Sequence, residues 1–152
     1  MDSKNIATNK KAFRDYFLIE KWECGIQLKG GEVKSLRAAE VSFSDAFARV
    51  EEHQILLYNL HISPYLQASY LNVEPDRVRK LLLNKKEIEK IYSKMSQKHL
   101  ALIPTRIYFN ARGLAKVEIA LAKGKKLFDK REDIKKRDID RELKRTVKPR
   151  RQ

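Results

Sequence analysis

Through the first sixty residues, apolar positions alternate with polar ones more often than they form helical stripes. Tyr16-Phe17-Leu18-Ile19 is a short apolar run. From Trp22 to Leu28, the residues Cys24, Ile26 and Leu28 alternate with polar or small neighbours, which predicts strands with one buried face. Gly30-Gly31 breaks the pattern. In Glu32-Val33-Lys34-Ser35-Leu36-Arg37 the apolar pair stands three apart, as in a short helix. Phe47 to Val50 and Ile55 to Leu60 flank the polar stretch Glu51-Glu52-His53-Gln54, a hairpin signature. From Asp76 to Met95 the period lengthens. Val78, Leu81, Leu82, Ile88, Ile91, Tyr92 and Met95 recur at helical spacing, with Asp76 after Pro75 as the expected N-cap. A second hairpin joins Leu102–Phe109 to Leu114–Leu121 around Asn110-Ala111-Arg112-Gly113. In its second arm Ala115, Val117, Ile119 and Leu121 alternate with Lys116 and Glu118.

About six short strands and one good helix predict a mainly β body, with a small OB-like antiparallel barrel and flanking helices as the favoured arrangement. Periodicity leaves a small sandwich or another α+β fold open. No internal repeat is visible. After Gly124 apolar residues thin out, leaving Ile139, Leu143 and Val147 four apart. That stripe is too thin to offset the ordering of some 25 residues at ~1–2 kcal/mol each. The expectation is therefore a body over residues 1–122 and a tail over 123–152, disordered when free and helical when docked on a partner.

Charge sharpens the division. The chain carries 34 Lys+Arg against 20 Asp+Glu, a net of +14. Residues 123–152 hold 14 of those bases and 6 of the acids, so a fifth of the chain carries more than half of the excess. Such self-repulsion points to an anionic partner, and nucleic acid is favoured because Lys and Arg release counterions from phosphates. No apolar run approaches the roughly 20 residues of a membrane span, and no basic helix has a wide apolar face. Met1-Asp2-Ser3-Lys4-Asn5 has no apolar stretch behind it, so no secretory signal is expected. A single cysteine, Cys24, cannot close an internal disulfide; a cytoplasmic protein fits.

The residues offer little for catalysis. His53, His61 and His99 stand in separate elements, none at a metal-ligand pair spacing, and Cys24 reads as a core thiol. Gly124-Lys125-Lys126 lacks the remainder of a phosphate-binding loop. Lys123, Lys125 and Lys126 fit either phosphate contacts or a solubilising terminus. Glu87 and Glu89 read as partners of surface lysines. Glu23, in a strand beside Gly25, has two open readings: an edge carboxylate paired to Lys or Arg, or an acceptor for base amino groups and sugar hydroxyls. The aromatics Tyr16, Phe17, Trp22, Tyr58, Tyr65, Tyr70, Tyr108 and Phe109 fit core positions more readily than base stacking. Phe128, alone in a charged segment, favours stacking or docking. The expectation is a binding protein, not an enzyme, with no metal and no cofactor.

The order of several blocks resembles one family. Asn9-Lys10-Lys11-Ala12 precedes the first strand, and Glu23-Cys24-Gly25-Ile26 leads into Gly30-Gly31-Glu32-Val33-Lys34-Ser35-Leu36-Arg37. After His61-Ile62-Ser63-Pro64-Tyr65 come Arg79-Lys80-Leu81-Leu82-Leu83, then Gly124-Lys125-Lys126 and Asp129-Lys130-Arg131. From about Asn9 to Arg145 the chain resembles small protein B, the SsrA-binding protein family that partners transfer-messenger RNA.

The resemblance implies an OB-like barrel that binds the tRNA-like domain of that RNA in place of an anticodon arm. It also implies a tail that probes the empty decoding centre and messenger channel of a stalled ribosome during trans-translation. Elongation factor Tu and alanyl-tRNA synthetase are implied as indirect associates, and a monomer is expected. Carried over by position, Asn9, Lys10, Glu23 and Leu82 fall where the family meets the RNA elbow. Lys116, Lys123, Lys125 and Lys126 match its basic cluster, and Gly25, Lys34, Arg37 and Lys80 stand in the same blocks. Phe128, Asp129, Lys130, Arg131, Lys135, Lys136 and Arg137 fall on the ribosome-facing tail. Three positions depart from the pattern: Cys24 stands for an alanine, Gly31 for a larger residue, and Phe128 for a histidine or tyrosine.

Overall fold

The structure, a computed structural model, describes residues 4–64 and 74–125. In chain order the elements are β1 (Lys4–Thr8), α1 (Lys10–Asp15), β2 (Tyr16–Ile26), α2 (Gly30–Arg37), β3 (Val41–Glu51), β4 (Gln54–Ile62), β5 (Arg79–Leu82), α3 (Lys85–Lys98), β6 (Ala101–Phe109) and β7 (Ala115–Gly124). Six strands close antiparallel in the order β6-β3-β4-β5-β2-β7, with β7 returning to β6. The expected mainly β barrel with flanking helices is what forms.

Closure has a weak seam. β3 meets β6 at the single pair Ala48↔Leu102, while the other half of that β6 edge is taken by β1, from Lys4↔Phe109 to Thr8↔Arg106. Inward residues fill the barrel as alternation requires: Cys24, Ile55, Leu57, Leu81, Ile107, Val117, Ile119 and Leu121 are all buried. A smaller cluster of Ala12, Ile103 and Ala122 lies on the outer face, where α1 packs against β6 and β2.

The two apolar runs expected as separate strands form one, β2, carrying a register shift between Leu18 and Glu20. The hairpin at Glu52-His53 turns with positive φ at both residues, the conformation of a two-residue hairpin turn. At the second hairpin the Asn110 carboxamide oxygen accepts from the Arg112 and Leu114 amides, at 3.0 and 2.9 Å, while Gly113 takes φ +78°.

The helix expected from Asp76 requires correction. Residues 79–82 are strand β5, which fills the gap between β4 and β2, and α3 starts only after Asn84. Val78, Leu81 and Leu82 imitated a helical stripe because Leu81 points inward while Val78 and Leu82 are exposed. Asp76 instead faces His61, at 3.1 Å.

Three charges lock this region. The buried Glu32 carboxylate of α2 accepts from Arg77 at 2.5 Å, from Arg79 at 2.6 Å and from the Lys29 amide at 2.9 Å. Arg79 has no exposed surface, and it also donates to the carbonyls of Leu60 and Pro75, at 2.5 and 2.9 Å. Burial alone would lift the Glu32 pKa, yet Arg77, the Lys29 amide and Arg79 together hold it below the usual carboxylate range. A buried charge with every donor used is retained at little net cost; losing one partner is what costs.

Candidate nucleic-acid interface

Strand register places the candidate residues more firmly than exposure does. Tyr108 of β6 faces Lys116 of β7, Lys116 faces Gly25 of β2, and Gly25 faces Leu82 of β5. These four residues form a row across the outside of four strands, since their neighbours Ile107, Val117, Cys24 and Leu81 fill the interior. Lys80, two residues before Leu82, shares its outward face. Leu82 is half exposed, whereas helical periodicity would have made it core.

A second row lies beside the first, where Glu23 and Glu118 sit directly opposite one another. Two facing carboxylates repel, so each needs a donor. Glu118 accepts from the Thr105 hydroxyl at 2.6 Å and has the cations of Arg106 and Lys21 at 3.5 and 3.9 Å. Glu23 accepts from the Tyr108 hydroxyl, across the one intervening strand, β7. The Arg106 guanidinium lies 4.3 Å from the centroid of the Tyr108 ring and fixes that ring from its face. Burial, and after it the bond to Glu23, push the Tyr108 phenol well above its usual pKa, so it stays a donor. Of the two readings for Glu23, its partner here is a phenol and not a Lys or Arg. The carboxylate is exposed and oriented, with acceptor capacity left over.

The other candidates lie at the far end of β2. Lys123 faces Phe17 across the β2–β7 pairing, and the Lys125 ammonium lies 5.0 Å over the Phe17 ring. The Lys125 amide donates to the Asp15 carbonyl at 2.9 Å, fastening the end of β7 to the end of α1. β7 runs to Gly124. Lys10 is exposed on α1. Eight residues of strand separate Phe17 from Gly25, about 26 Å at 3.3 Å per residue. The candidates therefore form two basic patches at opposite ends of one strand.

Asn9 is engaged inside the protein. It is only 6% exposed; its carboxamide donates to the Pro104 carbonyl at 2.8 Å and accepts from the Ala12 amide at 3.3 Å. It is the N-cap of α1 and sets where Lys10 stands. Lys34 and Arg37 lie on the exposed side of α2, a short loop beyond β2. Cys24 is buried inside the barrel, and burial raises its thiol pKa, which makes it inert. Lys126, Phe128, Asp129, Lys130, Arg131, Lys135, Lys136 and Arg137, with Tyr65 and Tyr70, lie outside the described residues. Sequence reasoning missed Arg106, Lys21 and the use of Tyr108. The register of the β6–β7 hairpin, which sets Arg106 and Tyr108 on the face of Lys116 and Glu118, was the available signal.

Among the described residues no group of three or more His, Cys, Asp and Glu could hold a metal ion, and no helix is long and apolar enough to cross a membrane. What the face offers is an oriented acceptor, an exposed leucine beside a bare glycine, and cations on both sides. Comparison with known proteins agrees with the motif order: a family model described as SmpB protein matches residues 6–149.

This chain belongs to the SmpB protein family.

A curated SmpB relative, the SsrA-binding protein of Pseudothermotoga lettingae, is 57% identical over 143 residues, which cover 94% of this chain and 96% of that one. The SsrA-binding protein of Geobacter metallireducens is 52% identical over 150 residues, 99% of this chain and 97% of its own. A solved structure presented as "tmRNA-SmpB: a journey to the center of the bacterial ribosome" contains a chain 50% identical to this one, with a TM-score of 0.69. The match covers 84% of this chain and 93% of that chain. The SmpB fold and the barrel described above are thus the same.

Proposed function

We propose that this SmpB chain binds the tRNA-like domain of transfer-messenger (SsrA) RNA and, with it, rescues stalled ribosomes by trans-translation. The names of its relatives and the ribosomal setting of the matched structure support the partner. The observation that carries the site is the in-register row of Tyr108, Lys116, Gly25 and Leu82 with Glu23 held beside it. An oriented carboxylate accepts hydrogen bonds from base amino groups or 2′-hydroxyls, which phosphates cannot offer, so it reads a folded RNA and not bulk charge. Leu82 gives a flat apolar contact to an unstacked base or sugar, and Gly25 lets the RNA approach the backbone. Lys80, Lys116, Lys34 and Arg37 neutralise phosphate around that contact, while Lys10, Lys123, Lys125 and Lys126 form the second patch.

In this reading the protein works by shape and charge without catalysis or a cofactor, as a cytoplasmic monomer. The body replaces an anticodon arm. The tail, with Phe128, Asp129, Lys130, Arg131, Lys135, Lys136 and Arg137, enters the empty decoding centre and messenger channel. Elongation factor Tu and alanyl-tRNA synthetase associate through the RNA. Truncation after Gly124 tests the division of labour: RNA binding should be largely retained and rescue of stalled ribosomes lost. Equal loss of both would contradict it.

A further inference from the structure

A groove runs along α3 on the side away from Glu20, whose carboxylate takes Lys90 and Lys94. It consists of two adjoining recesses of about 320 and 400 Å³ that share Val50 and Tyr92. Its floor is apolar, from Ile88 and Val50 to Met95 and Leu100, and Tyr92 stands in it 58% exposed. Glu52 and Glu89 line one end, and Arg49 and His99 line the other.

The chain itself carries a segment that fits. Ile139, Leu143 and Val147, four apart, would form one stripe of a helix, about 12 Å long at 1.5 Å per residue. Glu89 and His99 lie ten residues apart on α3, so the groove between them is about 15 Å long by the same rise. The tail also starts in the right place. Ala122 of β7 pairs with Ala101, next to Leu100 at the Arg49–His99 end of the groove. The fourteen residues from Lys125 to Ile139 reach up to about 45 Å, ample for the entry. Charge favours one direction, since residues 137–142 hold three acids and two arginines while 143–148 hold three bases and no acid. A helix entering there places Asp138 and Asp140 toward Arg49 and His99, and Lys144, Arg145 and Lys148 toward Glu52 and Glu89. It then lies antiparallel to α3, with opposed helix dipoles.

We propose that this groove is a docking site for the chain's own C-terminal segment, residues 139–147, when the protein is off the ribosome. The inference does not depend on the RNA reading above. The contact is small, and tethering makes it count. A tether of this length supplies an effective concentration of roughly 1 mM, so a contact with a dissociation constant of about 1 mM is occupied roughly half of the time. Docking hides the apolar stripe and holds the tail against the body, in exchange with the undocked tail.

The test uses the full chain with a spin label on an introduced Arg150→Cys, the native Cys24 being only 1% exposed and unavailable to the reagent. Amide relaxation should be enhanced several-fold more at Glu89, Tyr92 and Ser96 than at Gly25, Leu82 and Lys116. Leu143→Asp, a change outside the barrel, should remove that preference. Enhancement spread evenly over the body, or unaltered by Leu143→Asp, would overturn the proposal. So would enhancement at α3 of an isotope-labelled, spin-free copy mixed with spin-labelled copies, which would make a second molecule the occupant.

Discussion

Gly25 and Leu82 approach so closely across the β2–β5 pairing that a methyl group at residue 25 would stand 3.2 Å from the Leu82 Cβ. Leu82 therefore leans over a place where the barrel surface has no side chain, and its half-exposed face is available to a partner.

Gly25→Ala should push Leu82 aside with little effect on the fold. The nearest atom is the Leu82 Cβ, so the paired strands give by a few tenths of an ångström while the rest of that half-exposed side chain turns aside, and Ala recovers roughly 0.5–1 kcal/mol of backbone entropy relative to Gly. The unfolding free energy from denaturant titration should stay within about 1 kcal/mol of the parent, while affinity for the tRNA-like domain drops several-fold. A drop in stability matching the drop in affinity would show that Gly25 serves packing alone.

Lys116→Ala and Leu82→Ala should separate charge from shape. Losing one phosphate contact weakens binding about equally for all RNAs and reduces the slope of log affinity against log salt by about one. Leu82→Ala should weaken binding while leaving that slope unchanged. Titrations at four or five salt concentrations read both. Identical slopes for the two variants would remove Lys116 from the phosphate contacts.

Tyr108→Phe should release Glu23 without removing it. The lost bond joins a buried phenol to an exposed carboxylate, so the stability cost should be about 1 kcal/mol, at the low end for a charge-assisted bond. RNA affinity should fall less than in Glu23→Ala, because the carboxylate remains and only its orientation is lost. Should Tyr108→Phe weaken binding as much as Glu23→Ala, orientation would be the whole of the Glu23 contribution.

The Glu32 network predicts acid sensitivity. Its folded-state pKa lies below the ordinary 4.5, so it contributes stability above the unfolded value and loses it as pH falls through the folded one. Unfolding free energy should therefore decline from about pH 5 downward. Glu32→Gln should flatten that decline and cost about 3–5 kcal/mol at pH 7, because Arg79 is left buried without its counter-charge. Urea unfolding across pH measures both. A parallel decline in parent and variant would assign the acid loss elsewhere.

Much of this fold was legible because alternation survives wherever a strand has one dry face. Cys24 and Ile26 in β2, both arms of the β3–β4 hairpin and Val117–Ile119–Leu121 in β7 all show it. β5 was not legible, since four residues with Arg79 turned inward carry no period, and its apolar pair copied the spacing of the helix that follows. Nor was the Glu32–Arg77–Arg79 cluster, whose members are 45 and 47 residues apart and meet only through the fold. At the site, Glu23 and Leu82 were recognisable from motif resemblance. The partner of Glu23 was not, because Tyr108 lies 85 residues away and reads as an ordinary core aromatic. Asn9 shows the converse: a motif residue whose side chain is already engaged in capping α1 and binding Pro104.

The most direct measurement is a titration of the full chain against the isolated tRNA-like domain of transfer-messenger RNA, with bulk tRNA as competitor, across a salt series. Tight binding that withstands competitor and physiological salt, and that weakens on Glu23→Ala, is the predicted result. Binding that collapses with salt, ignores the identity of the competitor and is indifferent to Glu23 would contradict it, leaving a basic barrel with no specific face.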